Sequence, residues 1–317
     1  MVKTLDIAII GPGKVGTAVG ILAARAGLRV TAVAGRTKAH ARAAASAIGP
    51  GVRVCTPRQA ASAGKLVLLA VNDEAVAPLC LKLAQAGAFR KGAVVAHCAG
   101  ALNSHALKPA AECGCFVGSM HPLQTFPTVE AAVAKMPGAY CFIEGDRRST
   151  AALTKLAVAI GGIPVRIAGR HKVLHHAAAV VACNFVTALL GAAMRIAAEA
   201  KIDRQTFLAA FAPLVRSTID NVFSMGPAEA LTGPIARGDF QTVARHLKAL
   251  KNSRAGAESL YAMLSAETAF LAYRKGTLTA SKIMDLAEVL KAAADDARPA
   301  KDKKATLQGD DHGRKDH

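Results

Sequence analysis

A short apolar run, Leu5–Ile10, leads directly into Gly11-Pro12-Gly13-Lys14-Val15-Gly16, and an Ala-rich helical stretch, Gly16–Ala26, follows without a break. Strand, glycine turn and helix in that order constrain the chain more than any other feature. Glycines there let a backbone approach a pyrophosphate closely, while the start of the helix turns its free N–H groups toward it. A glycine-rich turn without a ligand is the plainer reading of the same residues. Strand-like runs then recur at Arg29–Ala34, Val52–Cys55, Leu66–Val71, Ala93–His97, Cys115–Ser119 and Ala139–Glu144. Apolar strands alternating with helical stretches predict a parallel sheet covered on both faces.

After Gly169 the strand signals stop, and the helical segments His171–Lys201, Arg204–Asn221, Asp239–Lys248, Arg254–Arg274 and Thr279–Ala297 follow. At 317 residues the chain exceeds a typical domain of ~100–200. The expected fold is therefore an α/β N-terminal Rossmann domain with a doubly wound parallel sheet, residues 1–168, and an all-α C-terminal domain for substrate binding and dimerisation, residues 169–297. Residues 298–317 are polar, with few apolar side chains, and read as a disordered tail.

The second strand decides the cofactor. An NAD-specific protein carries Asp or Glu there, roughly 20 residues beyond the glycines, to hold the ribose 2′-hydroxyl. This chain has Ala34-Gly35-Arg36-Thr37-Lys38 instead. A guanidinium complements a 2′-phosphate and offers nothing to a neutral diol, so NADP(H) is expected; a solvated surface arginine is the alternative. Val71 and Asn72 end the fourth run and Gly100 follows the fifth, on the carboxyl edge where ligands bind in open α/β folds. Asp73 reads more simply as a helix N-cap.

The formal charge of +18 admits nucleic acid, a membrane surface or a phosphate-rich ligand as partner. Lys and Arg are scattered, and the aromatic residues, only 4% of the chain, are not interleaved with them. A small anionic ligand fits that pattern, and nucleic acid is not expected. The seven cysteines form no C-x-x-C pair, which suits free thiols in a reducing cytoplasm and no metal site. No signal-peptide pattern opens the chain. Ala177–Met194 has about the length of a membrane span. Asn184 and Thr187 lie inside it and no second span occurs, so a helix buried on all sides at a domain or homodimer interface is expected.

Two segments carry a resemblance. Phe116-Val117-Gly118-Ser119-Met120-His121-Pro122-Leu123-Gln124-Thr125-Phe126 and Ala230-Leu231-Thr232-Gly233-Pro234-Ile235-Ala236-Arg237-Gly238-Asp239 resemble a family of NADP-dependent oxidoreductases that joins a Rossmann-like domain to a helical domain of unknown function, the 2520 type. The resemblance spans roughly residues 5–295. Some members of that family are alternative ketopantoate reductases, which implies a candidate reaction. Val117–Leu123 is also similar, more remotely, to the Gly-(Ser)-His-Pro-Met stretch of prephenate dehydrogenases, whose His contacts the reacting hydroxyl of the substrate. Leu123-Gln124 departs from that pattern and argues against prephenate itself.

Hydride transfer to a carbonyl needs a proton donor or a cation near the oxygen as negative charge develops. His121 and Lys172 are the candidate catalytic residues. His121 precedes a proline that holds its backbone extended, suiting an imidazole at the domain cleft; a structural histidine is the alternative. Lys172 opens the first long helix with His176 one turn later. Related dehydrogenase superfamilies place a Lys and an Asn four apart at this location, and the Lys172–His176 pair looks like the same device. Asn184, costly to bury unpartnered, needs hydrogen bonds from the protein or a substrate. Thr232 lies in a turn and Arg237 approaches a helix capped by Asp239, where it reads as a carboxylate partner or an internal ion pair. These residues fit an NADPH-dependent reductase of a small 2-oxo acid such as ketopantoate. A prephenate-like or imine-reducing dehydrogenase and an NADP(H)-binding regulator without turnover fit the same scaffold.

Overall fold

A computed structural model describes residues 6–296, and the tail expected at 298–317 lies outside them. The first elements in chain order are β1 (Asp6–Ile10), α1 (Lys14–Arg25), β2 (Arg29–Ala34), α2 (Lys38–Ile48), β3 (Arg53–Val54), α3 (Pro57–Ala63), β4 (Leu66–Leu69) and α4 (Asp73–Gln85). They continue with β5 (Val94–His97), α5 (Lys108–Glu112), β6 (Phe116–Pro122), α6 (Val129–Lys135), β7 (Tyr140–Gly145), α7 (Arg147–Ala159) and β8 (Ile163–Arg166). Helices α8 (Lys172–Glu199), α9 (Arg204–Met225), α10 (Pro227–Ala230), α11 (Phe240–Lys251), α12 (Glu258–Lys275) and α13 (Ala280–Asp296) complete the chain.

The eight strands form one sheet in the order β3-β2-β1-β4-β5-β6-β7-β8. Alternate residues of its central strands are apolar on both faces, so each face buries a cluster of its own. Ile7, Ile9, Leu66 and Leu68 join one cluster with α1, α2, α6 and α7, while Ala8, Ile10, Val67 and Leu69 join the other with α3, α4 and α5. That double coverage is the doubly wound arrangement the sequence implied. Order reverses between β1 and β4, which opens a crevice at their carboxyl ends, just before Gly11 and Val71.

The sheet departs from the expectation at its far side. β6 and β7 pair antiparallel, and a further strand, β8, pairs parallel to β7. The four-residue Ile163-Pro164-Val165-Arg166 gives almost no alternation to read, and its proline, which lacks an N–H, is tolerated because the strand lies on the edge. Asn72 rather than Asp73 occupies the N-cap position of α4; Asp73 lies in the helix's first turn, where an acid also suits the dipole.

Contacts divide the chain into two compact units, 1–184 and 185–317, and the division falls inside α8 rather than at residue 169. The reason is chemical: Lys172, at the start of α8, donates to the Ala99 carbonyl and to Ser119, which ties this end of the helix to the sheet. In the second unit α11, α12 and α13 pack around Val243, Leu247, Ala269, Ala272 and Leu286. Helix α8 is long and apolar enough to cross a membrane by length and composition. Within the single chain Val173, Leu174, Val181 and Phe185 are all exposed.

Asp146 ties the start of α7 to strand β6. It caps α7 by accepting from the Arg148 and Ser149 amides at 2.9 and 2.8 Å, and its other oxygen accepts from the Val117 amide of β6 at 2.6 Å. Asp146→Ala therefore removes a cap and leaves a strand donor without its partner. It should lower the unfolding free energy by about 2 kcal/mol, measured by urea denaturation.

Candidate active site

Strand register builds the site. Leu69 of β4 pairs with His97 of β5, His97 with Ser119 of β6, and Ser119 with Glu144 of β7. His97, Ser119 and Glu144 thus form one lateral row and present their side chains to the same face. Two residues along β6, His121 repeats that orientation opposite Phe142.

Lys172 closes the row. Its side chain is buried to 1% exposure. The ammonium donates to Ala99 O at 2.9 Å and to Ser119 Oγ, and the Ser119 hydroxyl donates to Glu144 Oε1 at 2.8 Å. Glu144 also accepts from the amide and hydroxyl of Ser104 at 2.7 and 2.9 Å, which pins the loop after β5. His97 holds the same loop from inside: its Nδ1 accepts from the Ala99 amide, leaving Nε2–H to donate to Asn103 O, each at 3.2 Å.

Three further imidazole edges converge there. His121 meets His175 and His176 edge-on at 5.6 and 5.7 Å between ring centroids, and His175 lies over Phe142 at 4.0 Å. Nδ1 of His121, Nε2 of His175 and Nδ1 of His176 are buried without a hydrogen-bond partner among the described residues. Unpaired buried nitrogens cost free energy unless a ligand satisfies them. Gly100 makes the convergence possible, since a Cβ there would overlap His176 Nδ1 and lie 2.9 Å from His121 Nε2.

Burial and one cation set the protonation. Burial pulls Lys172 down to about 8, against the opposing charge of Glu144 foremost. His121 is pushed down to about 4 by burial, with the Lys172 charge and the neighbouring imidazoles adding to it. His97 falls to about 4 through burial and Lys172, although the Asn103 carbonyl opposes the shift. Near neutral pH the His97 and His121 imidazoles are therefore neutral beside an ammonium.

A second part of the candidate site lies at the crevice. Gly11, Pro12, Gly13, Arg36, Val71 and Asn72 line a cavity of about 340 Å³. Gly11 has φ +99°, and a Cβ there would lie 2.6 Å from Ala70 O, so only glycine permits this turn. Gly13, at the N-cap of α1, has open space around it, makes no side-chain cap bond, and no acid follows in the first turn. Arg36 is exposed and pairs with no carboxylate among the described residues. Free helix N–H groups, bare backbone and an unpaired guanidinium fit the diphosphate and 2′-phosphate of NADP(H).

Of the other residues singled out in the sequence, Lys14 is exposed at the start of α1, Val15 packs against the core, and Gly16 sits under the carbonyl of Gly11. Thr37 caps α2 through the His40 amide. Asn184 is exposed, so burial does not force a partner on its amide. Thr232 and Arg237 are exposed within the second unit. Sequence reasoning did not single out His97, Glu144, His175 or Ser119 as a reacting group. Ser119 stood inside the motif next to His121, whereas nothing local marked Glu144.

Residues 2–122 match the family model described as a Rossmann-like domain, and residues 139–268 match that of a domain of unknown function, DUF2520. The chain joins a Rossmann-like domain to a DUF2520 domain. The first match contains His97, Ser119 and His121, and the second contains Glu144, Lys172, His175 and His176, so the network draws on both. No curated protein matches the sequence. Among solved structures, the chain is similar to a Bacteroides fragilis protein described as a candidate NADP oxidoreductase, at 24% identity, TM-score 0.70, covering 85% of this chain and 99% of that one. A Thermotoga maritima protein shares 24% identity at TM-score 0.64, with the same coverage of 85% and 99%. An imine reductase of Myxococcus stipitatus, in complex with NADP+, shares 17% identity at TM-score 0.59 over 83% of this chain and 94% of that one. Likeness at these identities shows the fold.

The lowered imidazoles make stability pH-dependent. His97 and His121 titrate near 4 when folded and near 6.5 in an unfolded chain. The unfolded chain therefore binds the extra protons between those values. Their contribution is complete above about 6.5 and is lost as pH falls through about 4. Thermal unfolding followed across that window should show Tm falling with acidification, less steeply in His121→Gln.

Proposed function

We propose that the chain is an NADP(H)-dependent reductase acting on the carbonyl of a small anionic substrate, a 2-oxo acid, with ketopantoate the first candidate. The observation that carries this reading is the pairing, on one sheet edge, of the Arg36 cavity with the His121–Lys172 cluster at the ends of β5 and β6. A candidate NADP oxidoreductase and an NADP+-bound imine reductase among the similar folds support it.

When bound, the nicotinamide supplies the hydride. His121, half-buried and neutral, offers an imidazole N–H to the substrate oxygen as charge develops there. Two of the three N–H donors of Lys172 are already taken. It acts as the fixed positive charge behind the imidazoles, and at about 8 it is also a proton source matched to neutral pH. The surrounding cation and N–H groups suit a substrate carboxylate. A second reading, reduction of an imine, is favoured by the imine reductases and the pyrroline-5-carboxylate reductase of Coxiella burnetii among the similar folds.

Loss of NADPH absorbance with a panel of 2-oxo acids and cyclic imines, with NADH alongside, tests both readings. Turnover of a 2-oxo acid supports the first and turnover of imines alone supports the second; NADPH binding without any turnover would instead indicate a regulator. In an active enzyme Arg36→Ala should raise KM for NADPH about tenfold or more and leave that for NADH nearly unchanged. His121→Ala should lower kcat by about 10² or more.

The exposed apolar side chains of α8 support a homodimer in which a second copy covers that helix. Sedimentation at micromolar concentration should give a dimer, and a monomer would remove this assembly.

A further inference from the structure

We propose that Glu144 is the positioning residue for Lys172: across the Ser119 hydroxyl, its carboxylate holds the buried ammonium charged and fixed beside His121. The inference rests on placing the reaction at this cluster, and it assigns a role to a residue that touches neither the dinucleotide cavity nor the imidazoles.

Hydrogen-bond polarity allows one arrangement. An ammonium can only donate, so Ser119 Oγ accepts from Lys172 with a lone pair. The single Ser119 proton then goes to Glu144 Oε1, at 2.8 Å. The Ser104 amide also can only donate, and it does so to the same carboxylate oxygen at 2.7 Å. Glu144 is 6% exposed and Ser119 is fully buried, so no water competes strongly with this chain of contacts. Through Ser104 the same carboxylate anchors the loop that carries Ala99, the other acceptor of Lys172, and Gly100, which admits the imidazoles.

The other groups facing Lys172 cannot replace it. His97 from β5, His121 from β6 and His175 from α8 itself feel its charge and are held neutral, and His176 lies one turn along the same helix. The Cys98 thiol is pushed up to about 12 and brings no charge near neutral pH. Asp73 acts on Lys172 only as a smaller field, with no hydrogen-bonded link to it among the described residues. Among the described residues Glu144 alone combines a negative charge with a hydrogen-bonded path. Without it, burial pulls the ammonium below its present value of about 8 and its charge disappears near neutrality.

The test is a pH titration of the Lys172 side chain by NMR of lysine-labelled protein, with Lys172→Met identifying the resonance. In Glu144→Gln the midpoint should fall from about 8 by roughly one unit or more. Ser104→Ala, which removes the hydroxyl contact and keeps the backbone amide contact and the carboxylate, should leave it in place. A midpoint unchanged in Glu144→Gln, or lowered as far by Ser104→Ala, overturns the proposal. Should Glu144→Gln fail to fold, Ser119→Ala interrupts the same path and should lower the midpoint, and an unchanged value there overturns it equally. The titration needs no turnover, so its failure is distinct from failure of the reductase reading, which NADPH oxidation reports. In an active enzyme the basic limb of kcat/KM moves down with the midpoint in Glu144→Gln, while KM for NADPH stays unchanged.

Discussion

An ammonium buried to 1% exposure is the constraint on which the rest of this site depends. Removing a charge from water costs several kcal/mol unless hydrogen bonds and an opposite charge replace the lost hydration. Lys172 is given a carbonyl, a hydroxyl and, one bond further on, a carboxylate. Each of these belongs to a different part of the sheet: the loop after β5, strand β6 and strand β7. Satisfying one cation therefore locks three segments together and brings the first turn of α8 to the sheet. The same charge, added to burial, keeps the nearby imidazoles neutral.

Two sites with different physics share the carboxyl edge of the sheet. At the crevice between β1 and β4 the backbone offers a glycine turn and uncapped helix N–H groups, and the Arg36 guanidinium lining it fits a 2′-phosphate. Around β6 the site is made of side chains, within a row whose members are neighbours only because the strands are in register. The Rossmann-like part supplies the cradle, His97, Ser119 and His121, and the DUF2520 part supplies the ammonium, its carboxylate and two of the imidazoles. A fold of this kind hosts many reductions. In this chain three imidazole nitrogens without a partner among the described residues stand beside a cation.

Much of the fold was legible because apolar periodicity is a local property. The runs at Arg29–Ala34, Leu66–Leu69 and Val94–His97 could be read within a residue or two of their ends, whereas one end each of α9, α11 and α12 lay three or four residues from where the pattern put it. β8 escaped notice because four residues with a central proline carry no period. The antiparallel setting of β7 escaped as well, since strand direction depends on the path of the connection rather than on strand composition. Helix α8 read as buried because its apolar content is high all round, yet composition does not say whether the chain that covers a helix is its own.

The sequence by itself determined the dinucleotide cradle: a strand, a glycine turn and a helix are contiguous, and Arg36 stands where the second strand ends. It also marked His121 and Lys172, since a histidine before proline and a lysine at a helix start are visible locally. What they do together was decided only by the tertiary structure. His97, Ser119, Glu144 and Lys172 lie far apart along the chain, and strand register aligns the first three. Burial then sets the charge of Lys172 and of the imidazoles around it in a way no local pattern encodes, because desolvation is a property of the packed interior and not of any residue alone.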